Sequence, residues 1–152
     1  MKLYRFQKIQ HLPVDIDKAW DFFSNPRNLR NITPPWLDFT ITDPNLQGLM
    51  YEGMIITYRI RPIARFTATW ITEITHVQKP YYFIDEQRFG PYRFWHHQHI
   101  FRPVDSGIEM EDLLHYALPF PAISSLVHRL FVRKKIEEIF TFRQKTLEKI
   151  FS

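Results

Sequence analysis

The sequence predicts an α+β fold in which a curved, seven-stranded antiparallel sheet wraps around one long C-terminal helix, with two short helices between the first and second strands. Three observations carry this reading. From Glu52 to Ala117, five runs rich in aromatic and β-branched residues follow one another, joined by links of about 2–5 residues, which suit hairpins and exclude crossovers. The eleven prolines fall almost entirely between periodic segments, where the missing N–H costs no ladder bond. After Pro119 and Pro121 comes a stretch long enough to cross a whole sheet face. The 152 residues suit one domain spanning 1–152.

Taken in order, Lys2–His11 is the first strand. Asp15 caps a short helix running through Ser24, with Asp17 in its first turn, where a negative charge meets the positive end of the helix dipole. A second short helix covers Pro26–Ile32, and Asp38–Thr42 is a brief strand. Longer strands follow at Glu52–Arg61, Ala64–His76, Tyr81–Arg88, Tyr92–Arg102 and Ile108–Ala117, with Gly48, Gly90 and Gly107 in turns. The final helix, Ala122–Phe151, is about 45 Å long at ~1.5 Å per residue. Its apolar positions Leu126, Leu130, Phe140, Leu147 and Phe151 keep a 3/4 spacing, but Arg133, Glu137 and Gln144 fall on the same line. Either the helix kinks near Val132–Lys135, or it lends polar groups to a cavity.

Composition narrows the function. Hydrophobic residues make up 45%, enough for a core, and aromatics 16%, which suits either a core or the walls of an apolar pocket. The absence of cysteine excludes disulfides and thiolate metal sites. MKLYRFQKIQ lacks the apolar run of a signal peptide, and no stretch reaches the ~20 apolar residues of a membrane span, so a cytoplasmic location is expected. The net charge of +4 permits contact with anionic surfaces without demanding it, and no nucleic-acid recognition motif is present.

Strand alternation sorts the side chains by face. In PYRFWHHQHIF (Pro91–Phe101), Trp95, His97, His99 and Phe101 share one face, and Phe94, His96, Gln98 and Ile100 the other. The next strand divides into Ile108, Met110, Asp112, Leu114 and Tyr116 against Glu109, Glu111, Leu113 and His115; the apolar set faces in and takes Asp112 with it. With Phe101 opposite Ile108, His99 faces Met110, His97 faces Asp112 and Trp95 faces Leu114, placing the His97 imidazole within reach of the Asp112 carboxylate. A one-residue slip would undo this. Further inward sets are Phe83, Asp85 and Gln87; Phe66, Trp70 and Ile74; and Met54, Ile56, Tyr58 and Ile60. The candidate ligand-binding residues are therefore Tyr58, Trp70, Phe83, Asp85, Gln87, Trp95, His97, His99, Phe101, Met110, Asp112, Leu114 and Tyr116.

Four stretches, VDIDKAWDFFSNPRNLRNITP (Val14–Pro34), FIDEQRFGPYRFWHHQHIF (Phe83–Phe101), EMEDLLHYALPF (Glu109–Phe120) and HRLFVRKKIEEIF (His128–Phe140), resemble the SRPBCC superfamily of START-like, helix-grip domains. That group includes the birch-pollen allergen, polyketide cyclase/dehydrases and lipid-transfer START domains; the nearest likeness is to uncharacterised bacterial SRPBCC proteins. The resemblance implies a cavity between the sheet and the long helix that binds a lipophilic or aromatic small molecule. It names no ligand, because one scaffold hosts many functions.

His97, His99 and Asp112 are also the candidate catalytic residues, as a general acid/base pair for cyclisation or dehydration. The same three could share a zinc ion, but that shell is incomplete and the resembled family generally needs no metal, so neither metal nor cofactor is expected. The plainer reading is a hydrogen-bonded His–Asp pair in a pocket wall. Non-catalytic binding or carriage is the first reading, an enzyme the second, and an interaction module with its gap filled by aromatics the third. His96 and His115 point outward, and the basic run His128–Lys135 reads as a solvated helix face. The resemblance implies that Trp36, in NITPPWL, lies near the cavity mouth, as gate or as packing. The expected partner is a hydrophobic small molecule, with no nucleic acid, no stable membrane insertion, and the chain a monomer or weak homodimer.

Overall fold

The computed structural model describes residues 1–120 and 125–152. Strand β1 (Tyr4–Leu12) leads into helix α1 (Ile16–Phe23), two 3₁₀ turns (Pro26–Ile32 and Pro35–Leu37) and the two-residue strand β2 (Thr40–Ile41). Strands β3 (Ile55–Ile63), β4 (Phe66–Gln78), β5 (Tyr82–Phe89), β6 (Phe94–Val104) and β7 (Gly107–Ala117) follow. A π-helical turn (His128–Val132) then runs directly into helix α2 (Arg133–Ile150). The sheet is antiparallel throughout, in the order β1-β7-β6-β5-β4-β3-β2, so a meander is closed by the first strand lying beside the last. This is the α+β arrangement expected from the sequence. The expected helix start at Ala122 lies outside the described residues.

Local chemistry sets the elements. The Asp15 carboxylate accepts from the Lys18 backbone N–H at 2.9 Å and caps α1, whose buried Ala19, Trp20 and Phe23 form one face at 3/4 spacing. Trp20 sets its edge against Phe83 and Phe101, which ties α1 to one end of the sheet together with Met110 and Leu147. At Gly107 (φ +139°) an added Cβ would meet the Leu12 carbonyl oxygen at 2.1 Å, so only glycine lets β7 start this close to the end of β1.

Two prolines expected to end strands lie inside them. Pro103 pairs with Ile108 in β6, and Pro62 sits at an irregularity near the tip of β3. Both occupy ends where the strand has a neighbour on one side only, so a missing N–H is tolerated. With β6 extended to Val104, the β6–β7 turn tightens to two residues and the register moves by two: Phe101 faces Met110, His99 faces Asp112, His97 faces Leu114 and Trp95 faces Tyr116. A shift of two keeps every side chain on its expected face. Phe66, expected inward, is 69% exposed, because it stands at the β3–β4 hairpin tip beyond the cover of the helix.

The π turn changes the phase of the final helix. One extra residue in a turn offsets the positions before it from those after it: the inward line runs His128, Ile136, Phe140, Arg143 and Leu147, and Leu126 and Leu130, before and within the turn, are exposed rather than buried. In place of the expected kink or break near Val132–Lys135 the helix carries a π turn that ends at Val132, and it lends a polar group, Arg143, to the interior.

Candidate functional site

Between α2 and the concave face of the sheet lies a pocket of about 310 Å³. Its walls are aromatic: Tyr58 and Trp70 stack at 5.8 Å, Trp70 meets Trp95 edge-on at 5.0 Å, and Tyr92 packs on Trp95 at 4.7 Å. Phe39 and the 3₁₀ turns close one side, and Ile136, Ile139 and Phe140 of α2 the other. At the mouth Trp36 and Phe131 are exposed, and the Lys135 ammonium sits 4.4 Å from the centre of the Trp36 ring. A smaller cavity of about 50 Å³ lies towards α1, lined by Phe22, Phe23, Met50 and Phe83 among others.

The wall between the two cavities is polar, since Tyr58, Asp85, His99 and Arg143 line both. Asp85 pairs directly with His97 across β5–β6, and His99 with Asp112 across β6–β7, so four ionisable side chains from three adjacent strands meet on one face. His97 Nε2 lies 2.8 Å from Asp112 Oδ1, and His99 Nε2 lies 2.6 Å from Asp85 Oδ2. His97 Nδ1 is 3.6 Å from the same Asp85 oxygen. Arg143 donates through Nη1 to Asp112 Oδ1 at 3.3 Å. His97, His99, Asp112 and Arg143 are each at most 7% exposed.

Burial opposes charge here, and the network decides which charges persist. Burial and the neighbouring His99 hold His97 below the usual imidazole range. Burial pulls His99 the same way, but its carboxylate partners Asp112 and Asp85 outweigh burial and raise it. Asp112 is pushed up by burial and pulled further down by His97, His99 and Arg143, so it stays a carboxylate, and Asp85 is lowered in the same way by His99, His97 and Arg143. Burial, reinforced by Asp85, keeps the Tyr58 phenol protonated far beyond its ordinary range.

Of the residues expected to bind ligand, Tyr58, Trp70, Asp85, Trp95, His97 and His99 line the main pocket, with Trp36 at its mouth. The others do not. Phe83 faces the smaller cavity; Phe101 and Met110 are buried in the core beneath α1; Leu114 and Tyr116 lie beneath Ile136 and Phe140. Asp112 stands behind the two imidazoles. Gln87 clamps the next turn, donating to the Tyr92 carbonyl and accepting from the Tyr92 N–H. The concave face is longer than the pocket, and the helices cover its ends. Arg143 is not legible from the sequence, because at 3/4 spacing both Arg143 and Gln144 flank the line from Phe140 to Leu147 on the last helix. Its one signal is the mismatch between polar and apolar positions along that helix.

No protein-family model matches the chain, and no curated protein does. Solved structures match along nearly its whole length. The ginseng (Panax ginseng) major latex-like protein 151 superposes with a TM-score of 0.71 at 10% identity, over 99% of this chain and 98% of that one. A Chromobacterium violaceum protein gives 0.71 at 11% identity, over 97% and 96%. Thalictrum norcoclaurine synthase, in a point mutant bound to a transition-state analogue, gives 0.66 at 12% identity, over 99% and 98%. At such identities the likeness is one of fold: this chain has the same helix-grip fold as these proteins.

Proposed function

We propose that the chain, as one domain over 1–152 and as a monomer or weak homodimer in the cytoplasm, binds a hydrophobic small molecule between its sheet and α2, as a carrier or sensor. The observation that carries this reading is the pocket itself: about 310 Å³, walled by Tyr58, Trp70, Tyr92, Trp95 and Phe140, with one polar wall. Its volume falls at the low end of the ~300–1,000 Å³ typical of ligand sites, and aromatic walls with few polar groups are their usual lining. The reading of an interaction module with a filled gap is disfavoured by that open volume. Among the described residues no helix is long and apolar enough to cross a membrane, which fits a protein that carries its lipophilic cargo inside.

Trp36, Trp70 and Trp95 line the pocket and Trp20 does not, so indole fluorescence reports on occupancy. Titration with anilinonaphthalene sulfonate is expected to change that fluorescence saturably. A flat or non-saturating response counts against the reading.

A second reading, an enzyme of the cyclase/dehydratase kind, is favoured by His97 and His99 at the pocket wall, each paired with a carboxylate. An imidazole oriented by a carboxylate behind it is a general acid/base arrangement. It requires that His97→Ala abolish turnover of a pocket-bound substrate while the probe still binds; a variant that turns over substrate normally ends it.

A further inference from the structure

We propose that Asp85, His97 and His99 form a binding site for a divalent transition-metal ion, zinc fitting the donors best, with its open coordination position facing the pocket. One donor atom from each residue lies within 4.8 Å of the others. These atoms converge on Asp85 Oδ2, 2.6 Å from His99 Nε2 and 3.6 Å from His97 Nδ1. Donors bound to one zinc ion at ~2.0–2.2 Å stand roughly 3–3.5 Å apart, so a shift of about half an ångström in each would admit an ion.

The surroundings are arranged as they are around metal-bound imidazoles. Asp112 holds the far nitrogen of His97 at 2.8 Å, which leaves Nδ1 with its lone pair directed at Asp85. The same Asp112 oxygen lies 3.4 Å from His99 Nδ1, which is buried and has no hydrogen-bond partner among the described residues. A carboxylate behind each imidazole fixes the tautomer and strengthens the ligand. Arg143 in turn braces Asp112.

Charge and rigidity agree. Metal ligation requires both imidazoles neutral; two carboxylates and one guanidinium then leave one negative charge, which a divalent cation offsets in place of the proton that the same carboxylates favour on His99. All three ligands stand on adjacent strands, paired or two positions apart, rather than on loops. Three protein ligands and a vacant position is the pattern of reactive rather than structural zinc sites. Since all three residues line the pocket, the fourth position points where a bound molecule could supply an oxygen. Asp112, the carboxylate expected from the sequence to complete such a set, becomes the positioning residue, and Asp85 takes its place.

The test uses the full chain and Zn²⁺ alone. Calorimetry is expected to show one ion per chain, and Co²⁺ to give the visible bands of a low-coordinate N/O site. In the unaltered protein, imidazole ¹⁵N resonances are expected to show metal at His97 Nδ1 and His99 Nε2. Asp85→Asn and His99→Gln are expected to abolish binding. Asp112→Asn is expected to weaken it about 10–100-fold while the ring assignments persist. His96→Ala and His115→Ala, on the opposite face, leave it unchanged. The proposal is overturned if no one-to-one binding occurs, if the His96 or His115 resonances respond instead, or if Asp85→Asn retains full affinity. Should a variant fail to fold, the resonances of the unaltered protein decide. Probe binding in the pocket is scored separately, so this site and the hydrophobic-ligand reading can fail independently.

Discussion

Lys135 on α2 holds its ammonium 4.4 Å above the Trp36 ring on the second 3₁₀ turn, joining helix and loop across the mouth of the pocket. An exposed contact of this kind contributes about 0.5–1 kcal/mol. That is small for stability but matters for a gate. Lys135→Ala is therefore expected to leave thermal stability nearly unchanged and to speed release of a bound fluorescent probe several-fold in stopped-flow measurements. An unchanged release rate would reduce Trp36 to packing.

The π turn makes a second claim, about which apolar residues of the last helix hold the fold. Leu147 is fully buried against Trp20 and Phe101, whereas Leu130 is 61% exposed, although an unbroken helix would bury both. Leu147→Ala is expected to cost about 2–5 kcal/mol in denaturant unfolding, and Leu130→Ala less than about 0.5 kcal/mol. Equal losses would mean that the helix runs without the phase change.

His128 supplies a pH dependence of predictable sign. Its ring stacks on Tyr4 at 3.5 Å, and its Nε2 shares a hydrogen bond of 2.6 Å with the Tyr116 hydroxyl. Burial, with help from Arg133 and Lys2, depresses its affinity for a proton. The unfolded chain takes up that proton first, near the ordinary imidazole pKa of about 6.5. The contribution is thus fully present above that value and is lost as pH falls through the lower folded-state pKa. Denaturation between pH 7 and 5 is expected to show a shallower loss of stability in His128→Phe than in the unaltered chain. Parallel slopes would contradict this assignment.

The sheet and its faces were legible because alternation in β6 and β7 leaves one apolar set per strand. The register was not, because nothing local announces that β6 continues through Pro103 to a two-residue turn. The error of two residues preserved the faces, so His97, His99 and Asp112 did meet. It missed that His99, not His97, lies directly opposite Asp112, while His97 still makes the shorter bond diagonally. Alternation puts Asp85 inward, but that both imidazoles converge on its carboxylate depends on pairing across β5–β6, which alternation does not carry. Arg143 was hidden because Arg143 and Gln144 flank the line from Phe140 to Leu147 equally, and only packing chooses between them. Which inward residues line space and which lie beneath a helix is a property of tertiary packing, and strand alternation carries no record of it.

The central claim is that the space between the sheet and α2 holds a hydrophobic molecule. Native mass spectrometry of the protein purified without organic extraction, compared with Ile139→Trp, tests it most directly. Ile139 lines the pocket from α2, and an indole at that position projects into the void. The account predicts a co-purified apolar compound, or a saturably bound apolar probe, at one per chain on the unaltered protein and neither on the folded variant. An unaltered protein that carries nothing and takes up no apolar probe, or a filled variant that binds as well as the original, would contradict it.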